Sequence, residues 1–228
     1  MLWILDGMDH THTTEVDAPA SELWDAKYLE RERIWSGAPN LVLVEETADL
    51  QPGTALELGA GEGADAIWLA KKGWQVTAVD VSAVALGRAA QHATDEGVAD
   101  RIGWEQMDLA AEFPEGEFDL VSAHYFHSHG ELPREQILGS AADAVAVGGV
   151  LLVVGHAGPP SWVTDHDHGD LPTPTEVYEG LRPRDGEWEI LSCRELQVPM
   201  TAPDGSAGAR SDNVLKIRRL VPAEQKRT

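Results

Sequence analysis

Short apolar runs alternate with stretches of helical periodicity from residue 54 to residue 154 of this 228-residue chain. Strands that alternate with helices at such spacing form a parallel sheet that helices cover on both faces. The alternation therefore predicts an α/β fold with a doubly wound, mostly parallel sheet. The periodicity predicts strands at 54–58, 75–80, 101–107, 118–123 and 149–154, and helices at 63–72, 82–97 and 132–146.

The segments that flank this region complete the predicted architecture. After a short helix near 175–181, "EWEILSCRELQVP" and "NVLKIRRL" predict two strands separated by the turn-rich "DGSAGARSD". They form an antiparallel hairpin that brings the sheet to seven strands, with Cys193 as a small core residue. On the amino side we expect a flexible tail at 1–20 and two helices within 21–50, the first capped by Ser21. Residues 21–228 are expected to form one domain.

A glycine-rich turn, "ELGAGEGAD" at residues 57–65, joins the first strand of the alternating region to its first helix. In open α/β sheets, ligands bind beyond the carboxyl ends of the strands. Asp80 ends the second strand about 20 residues after the glycines, the position from which a carboxylate reaches ribose hydroxyls. The turn also satisfies the dinucleotide pattern GxGxxG/A, which is weak when it stands alone. A ligand that contains a nucleoside is the prediction.

The acids in and near the turn distinguish between candidate ligands. Glu57 and Glu62 would raise the cost of holding the pyrophosphate of a dinucleotide. S-adenosylmethionine has no phosphate and carries a sulfonium and an ammonium group, while backbone N–H groups of the turn remain available for its carboxylate. Asp108, after the third strand, suits an adenine amino group. These residues favour S-adenosylmethionine; a nicotinamide-dependent oxidoreductase and a non-catalytic S-adenosylmethionine-binding protein remain as alternatives.

Taken in order, these motifs resemble those of the class I S-adenosylmethionine-dependent methyltransferases, which have a Rossmann-like fold. The resemblance lies in Glu57-Leu-Gly59-Ala-Gly61-Glu-Gly63, in Val79-Asp80-Val81-Ser82 and in Met107-Asp108-Leu109. "WDAKYLERERIWSGAPN" is similar to the N-terminal segment of the tellurite-resistance and thiopurine-type small-molecule branch. The resemblance implies methyl transfer to a small-molecule acceptor, with residues 21–50 closing over the cofactor.

The resemblance also implies a role for each matching residue. Gly59 and Gly61 would present backbone to the methionine moiety, and Glu57 would anchor the turn or the ammonium group. Asp80 would hold the ribose hydroxyls, and Trp35 would line the cofactor entrance. The remaining implied cofactor contacts, including the adenine-binding residues, are Ala60, Val81, Met107, Asp108, Leu109 and Ala123.

Polar side chains follow the fourth and fifth strands, where the acceptor would bind. Methyl transfer needs a general base only when the acceptor is protonated. The candidates are His124, Tyr125, His127 and His156, and His124 ranks first because it follows its strand directly. The spacing of these histidines, with His129, His166 and His168, matches no tight metal site, so no metal is predicted. The acceptor, the attacked atom (O, N, S or metalloid) and the oligomeric state are left open.

Composition bears on partners and compartment. The chain has 39 acidic and 17 basic residues, a formal net charge of −22, which repels nucleic acid and anionic lipid. A single cysteine permits no intrachain disulfide, which fits a reducing compartment. "MLWILDG" has no basic n-region and is too short to span a membrane. We expect a cytoplasmic protein that binds neither nucleic acid nor membrane.

Overall fold

A computed structural model describes residues 18–126, 132–163 and 171–220. In these residues seven strands form one sheet in the order β3-β2-β1-β4-β5-β7-β6. The strands are β1 (Thr54–Leu58), β2 (Gln75–Asp80), β3 (Ile102–Gln106), β4 (Phe118–His124), β5 (Val145–His156), β6 (Trp188–Thr201) and β7 (Ala207–Arg219). The first five are parallel to one another, whereas β7 is antiparallel to both β5 and β6. The predicted fold is confirmed.

Helices cover both faces of this sheet. They are α1 (Ala20–Leu29), α2 (Leu41–Glu46), α3 (Ala64–Lys71), α4 (Ala83–Asp95), α5 (Arg134–Asp143) and α6 (Pro174–Gly180), and a 3₁₀ turn covers Ala99–Arg101. Leu43 of α2 and Leu69 of α3 belong to the core on one face, which we call the α2–α3 face. Ile137 and Leu138 of α5 belong to the core on the opposite face. None of these helices in the described ranges has the length and apolarity needed to cross a bilayer.

Side chains alternate between the two faces along each strand, which fixes the surroundings of the polar residues. Leu120 of β4 and Val154 of β5 belong to the core on the α2–α3 face. By this alternation Ser122 and His124 share that face, and His156 lies beyond Val154. Register places Ser122 beside Glu57 of β1. The carboxyl ends of β1, β4 and β5 therefore gather polar side chains on one face of the sheet.

The N-terminal region departs from its predicted boundaries. Helix α1 begins at Ala20 with Pro19 in the capping position, and Pro19 makes no side-chain capping bond. The prediction that Ser21 caps this helix is therefore wrong, because Ser21 lies inside the first turn. The helix ends at Leu29 and does not continue to Trp35. Most of the predicted tail, residues 1–17, lies outside the described residues.

The C-terminal hairpin is longer than predicted. β7 begins at Ala207, inside the segment expected to be a turn, because residues from Ala207 to Ser211 pair with β6. Long-range strand pairing has overridden the local turn composition here. Cys193 is exposed, so the prediction of a core cysteine is wrong. The physical reason is position: β6 is the edge strand and is half-exposed along its length.

Candidate cofactor and acceptor site

The N–H groups of the glycine turn are hydrogen-bonded to acceptors within the protein. Gly59 and Ala60 both donate to the carbonyl oxygen of Val79, at 2.8 and 2.9 Å. Gly61 donates to a carboxylate oxygen of Asp80 at 2.8 Å, and Gly63 donates to the carbonyl of Ala60. The expectation that the N–H groups of these residues stay available for a ligand carboxylate is therefore wrong. Because these four N–H groups are already hydrogen-bonded, they cannot bind a phosphate. The N–H groups of a dinucleotide-binding turn do bind one.

Two glycines of the turn lie directly under aromatic side chains. Gly59 has φ +71°, and a Cβ there would be 2.9 Å from the ring of Phe126. Gly61 has φ +53°, and a Cβ there would be 2.9 Å from the hydroxyl of Tyr28 and 3.4 Å from Nε1 of Trp35. Only glycine meets both requirements, a left-handed backbone and space for a ring. Trp35 thus lies over the turn, beside its predicted place at the cofactor entrance.

Asp80 connects the turn to the start of α4. One carboxylate oxygen accepts from Gly61 N–H and the other accepts from Ser82 N–H at 2.9 Å. Ser82 in turn caps α4 by accepting from Ala85 N–H at 3.1 Å. Burial raises the pKa of the Asp80 carboxyl, and these backbone hydrogen bonds oppose that rise. Asp80 lies at the end of β2, where a ribose-binding carboxylate is expected.

Glu62 has a different role from the one its charge suggested. One of its oxygens accepts from the backbone N–H groups of Ile34 and Trp35, at 3.1 and 3.0 Å. The other pairs with the guanidinium of Arg88 at 3.0 Å, and Arg88 also donates to the carbonyl of Tyr28. The cation that Glu62 attracts belongs to the protein itself. Its carboxylate holds residues 28–35 against the glycine turn.

Two further carboxylates fix the same N-terminal segment. Asp65 accepts from the backbone and the side-chain N–H groups of Asn40, each at 2.7 Å. Asp25 of α1 accepts from the hydroxyl of Ser82 at 2.5 Å and from Val84 N–H at 3.1 Å. Asp65 lies in the first turn of α3, where an acid also interacts favourably with the helix dipole. An acid within the first turn of a helix carries no local signal that identifies a partner 25 residues earlier.

Three buried polar side chains lie near the glycine turn on the α2–α3 face. Oε2 of Glu57, Oγ of Ser122 and both ring nitrogens of His124 are buried without a hydrogen-bond partner among the described residues. His124 Nδ1 is 3.7 Å from a carboxylate oxygen of Asp65. Burial, followed by the charges of Asp65 and Asp80, raises the pKa of Glu57 well above its usual value. Burial lowers the pKa of His124, although Asp65 opposes the shift.

The predicted adenine-binding residues lie together beyond β2 and β3. Val81, Met107 and Leu109 are half-buried, and Asp108 is exposed. Met107 N–H donates to the carbonyl of Asp80 at 3.0 Å, so the two strand ends are joined. A carboxylate oxygen of Asp108 accepts from Ala110 N–H at 3.0 Å. This arrangement leaves the adenine role of Asp108 a prediction.

The acceptor side contains a hydrogen-bonded cluster that the sequence did not reveal. Asp212 of β7 is fully buried and accepts from Arg210 at 2.7 Å through both oxygens. It also accepts from the Tyr125 hydroxyl at 2.6 Å, and Nδ1 of His156 lies 3.2 Å away. The ring of His156 stacks on that of Tyr125, with centroids 4.5 Å apart. Asp212 and Arg210 fall in the segment predicted to be a turn, so no pattern indicated them.

The other candidate histidines cannot be placed in this arrangement. His127, His129, His166 and His168 all lie outside the described residues. Within the described ranges, no three His, Cys, Asp or Glu side chains are grouped as a metal site. Of the predicted catalytic residues, the structure brings together Tyr125 and His156. His124 lies at the end of the adjacent strand, with its side chain 4% exposed.

The chain's own residues fit S-adenosylmethionine better than a dinucleotide. The buried Glu57 carboxyl group has an unpartnered oxygen beneath the turn, which suits an ammonium group. The turn consumes its N–H donors, so a pyrophosphate has no cradle at those four positions.

Part of the chain is similar to known methyltransferases. Residues 55–149 match a family model described as a methyltransferase domain. The chain is 30% identical over 140 residues to a ribosomal RNA small subunit methyltransferase C of Alcanivorax borkumensis, and aligned residues cover 58% of this chain and 42% of that protein. It is also 30% identical over 136 residues to a ubiquinone biosynthesis O-methyltransferase of Pseudomonas paraeruginosa, over 58% of this chain and 57% of that one. The chain thus spans about half the length of these relatives.

Two solved structures share the fold. One, from work on the conversion of a disulfide bond into a thioacetal group during echinomycin biosynthesis, has a TM-score of 0.69 and 23% identity, over 91% of this chain and 95% of that chain. The other, TehB from Haemophilus influenzae, has a TM-score of 0.59 and 18% identity, over 88% and 67%. Residues 55–149 therefore match a methyltransferase domain, within a chain that shares its fold with these two structures.

Proposed function

We propose that this protein transfers the methyl group of S-adenosylmethionine to a small-molecule acceptor. The observation that carries the proposal is the glycine turn, which lies within the matched methyltransferase domain and closes its own N–H groups. When bound, the cofactor supplies an activated methyl group on a sulfonium. The chain supplies the glycine turn, the Asp80 carboxylate and the aromatic side chains that exclude water from the turn.

A small acceptor is supported by what covers the turn. Residues 28–35 lie across it, held by Glu62 and Arg88, and Asp65 holds Asn40 beside it. We call this segment, residues 28–40, the N-terminal cover. Because it lies over the glycine turn, it favours an acceptor that is small enough to be enclosed. The net charge of −22 also opposes a nucleic-acid acceptor, although one relative is named as an RNA methyltransferase.

The finer prediction, membership of the tellurite-resistance and thiopurine-type branch, forms part of the proposal. The N-terminal cover over the glycine turn and the shared fold with TehB support it. In this proposal the acceptor binds at the carboxyl ends of β4 and β5, between the cover and the His156–Asp212 cluster. Membership of this branch predicts a small-molecule acceptor that has a nucleophilic heteroatom.

The test measures cofactor binding first and turnover second. Isothermal titration with S-adenosylmethionine, S-adenosylhomocysteine and NAD is expected to show binding of the first two and none of NAD. A library of small phenols, amines, thiols and metalloid oxyanions is then screened for release of S-adenosylhomocysteine. NAD binding without S-adenosylmethionine binding would contradict the proposal. Cofactor binding without turnover on the library or on ribosomal RNA would favour a non-catalytic binding protein.

A further inference from the structure

We propose that His156 is the general base of the acceptor site and that Asp212 is the positioning residue that orients it. This inference rests on the methyl-transfer function proposed above and specifies its acceptor class. His156 ends β5 and pairs in register with Asp212 of β7. The pair therefore lies at the carboxyl edge of the parallel strands, the edge at which ligands bind in such sheets.

The surroundings of Asp212 keep its carboxylate ionised. Burial raises the pKa of Asp212, but hydrogen bonds from His156, Arg210 and Tyr125 and the charge of Arg210 outweigh burial and hold the pKa below its usual range. Arg210 is 2% exposed and binds both oxygens of the carboxylate. An ionised carboxylate beside Nδ1 favours the imidazole tautomer with the proton on Nδ1, which places the lone pair on Nε2.

Tyr125 helps to hold Asp212 in place. Its hydroxyl donates to Asp212 and accepts from Arg210 at 2.7 Å. Burial, followed by the charge of Asp212, raises the pKa of the Tyr125 phenol, so the phenol keeps its proton and is not the base. Its φ of +50° is rare for a residue with a side chain. Strain of this kind persists where the surrounding structure enforces it, which is common at functional sites.

His156 is better placed than His124 to take a proton from a ligand. The side chain of His156 is 26% exposed, whereas that of His124 is 4% exposed. Burial lowers the pKa of His124, and the Asp65 carboxylate 3.7 Å from its Nδ1 already accepts two hydrogen bonds from Asn40. His156 instead has an ionised carboxylate that points at one of its nitrogens. Among the described residues, the titratable or charged groups near it include Tyr125, Asp212, Arg210 and Arg134, the last of which lines the same cavity.

An oriented base is needed only for an acceptor that carries a proton at neutral pH, such as a phenol. The phenolic oxygen gives its proton to Nε2 of His156 and forms a bond to the methyl carbon. The electron pair of the methyl–sulfur bond stays on sulfur, which leaves as the neutral thioether S-adenosylhomocysteine. The positive charge lost from sulfur appears on the imidazolium, beside Asp212, and solvent later takes the proton.

The activity test uses two phenols that differ in acidity, phenol itself and 4-nitrophenol, which is the far stronger acid and loses its proton at a pH where phenol keeps it. His156→Ala is expected to lower turnover of phenol by ~10²-fold or more and to affect 4-nitrophenol much less. Its affinity for S-adenosylmethionine should stay unchanged. Tyr125→Phe should lower phenol turnover by a smaller factor. Exogenous imidazole should restore part of the phenol activity of His156→Ala.

A second measurement needs no turnover. Long-range ¹H–¹⁵N spectra of histidine-labelled wild-type protein should show His156 as the Nδ1–H tautomer, and Asp212→Asn should shift that tautomer balance. A dominant Nε2–H tautomer would overturn the proposal, as would equal loss on both phenols or normal phenol turnover in His156→Ala. A large loss on phenol in His124→Gln with a normal His156→Ala enzyme would assign the base to His124. Failure of the proposed function is distinguishable, because wild-type protein would then either bind no S-adenosylmethionine or turn over neither phenol.

Discussion

At the residue scale, Asp80 offers the sharpest test of the cofactor site. Its carboxylate holds Gly61 and Ser82, and we predict that it also binds the ribose hydroxyls. Replacing Asp80 with Ala removes charge-assisted hydrogen bonds, which should cost about 2–4 kcal/mol of S-adenosylmethionine affinity. Calorimetric titration measures the loss.

The matched control for Asp80→Ala is Asp119→Asn, at the opposite edge of the sheet. Asp119 also accepts from backbone, through Thr54 N–H at 2.8 Å, but it lies at the amino ends of the strands. Its replacement should leave cofactor affinity unchanged. Normal affinity in a folded Asp80→Ala protein would contradict the ribose role.

Glu57 makes the stability of the free protein depend on pH. Its folded pKa lies above the unfolded value of about 4.3, so the folded state binds more protons between these two values. Stability from this residue is therefore fully present below about pH 4.3 and is lost as pH rises through the folded pKa. Glu57→Gln removes this dependence. The melting temperature of the variant relative to wild type should rise by up to about 3–5 °C per pH unit within that window.

Two comparisons make this prediction specific. Glu117→Gln makes the same change at an exposed carboxylate before β4 and provides the comparison over the same pH range. Glu57→Gln should also bind S-adenosylmethionine more weakly, because an amide attracts an ammonium group less than a carboxylate does. A melting-temperature difference that stays constant with pH would show that Glu57 is not buried in the way described.

At the element scale, Glu62 is one of three carboxylates, with Asp25 and Asp65, that hold α1 and the 30–40 linker beside the glycine turn. Glu62→Ala removes the acceptor for Ile34 and Trp35 N–H and the partner of Arg88. We expect trypsin to cleave after the exposed Arg31 and Arg33 about tenfold faster or more, since a buried, charge-bearing hydrogen-bond group is lost. S-adenosylmethionine affinity should fall in parallel.

An exposed ion pair provides the control for Glu62→Ala. Glu96 pairs with Lys71 at 2.5 Å, and both side chains are about half exposed. Exposed pairs contribute only about 0–1 kcal/mol, so Glu96→Ala should leave both cleavage and affinity close to wild type. Equal cleavage rates in wild type and Glu62→Ala would show that this carboxylate does not hold the N-terminal segment.

At the scale of the whole molecule, net charge separates a small acceptor from RNA. With a net charge of −22, the protein should bind a labelled RNA oligonucleotide more weakly than about 10⁻⁴ M in fluorescence anisotropy at physiological salt. S-adenosylmethionine binding in the same sample confirms that the protein is folded. Micromolar RNA affinity that weakens steeply with added salt would contradict the proposal of a small-molecule acceptor.

The sequence by itself determined where the strands of the alternating region lie, because their signals are local. Apolar runs and helical periodicity identified β1 at 54–58 and β2 at 75–80 with their observed bounds. The glycine turn could be located from composition, since left-handed positions such as Gly61 require glycine. Asp80 could be placed at the strand end from spacing alone. These features each depend on residues that are neighbours in the chain.

Only the tertiary structure decided what the charged side chains bind. Glu62 attracts Arg88 and the N–H groups of a segment almost 30 residues earlier, so its charge was no guide to a ligand. Asp212 joins β4 to β7 across 87 residues through Tyr125, within a stretch whose composition indicates a turn. Hydrogen bonds and ion pairs act over a few ångströms in space, and chain separation does not enter their energy. A sequence pattern therefore identifies where an acid lies in an element, while folding selects its partner.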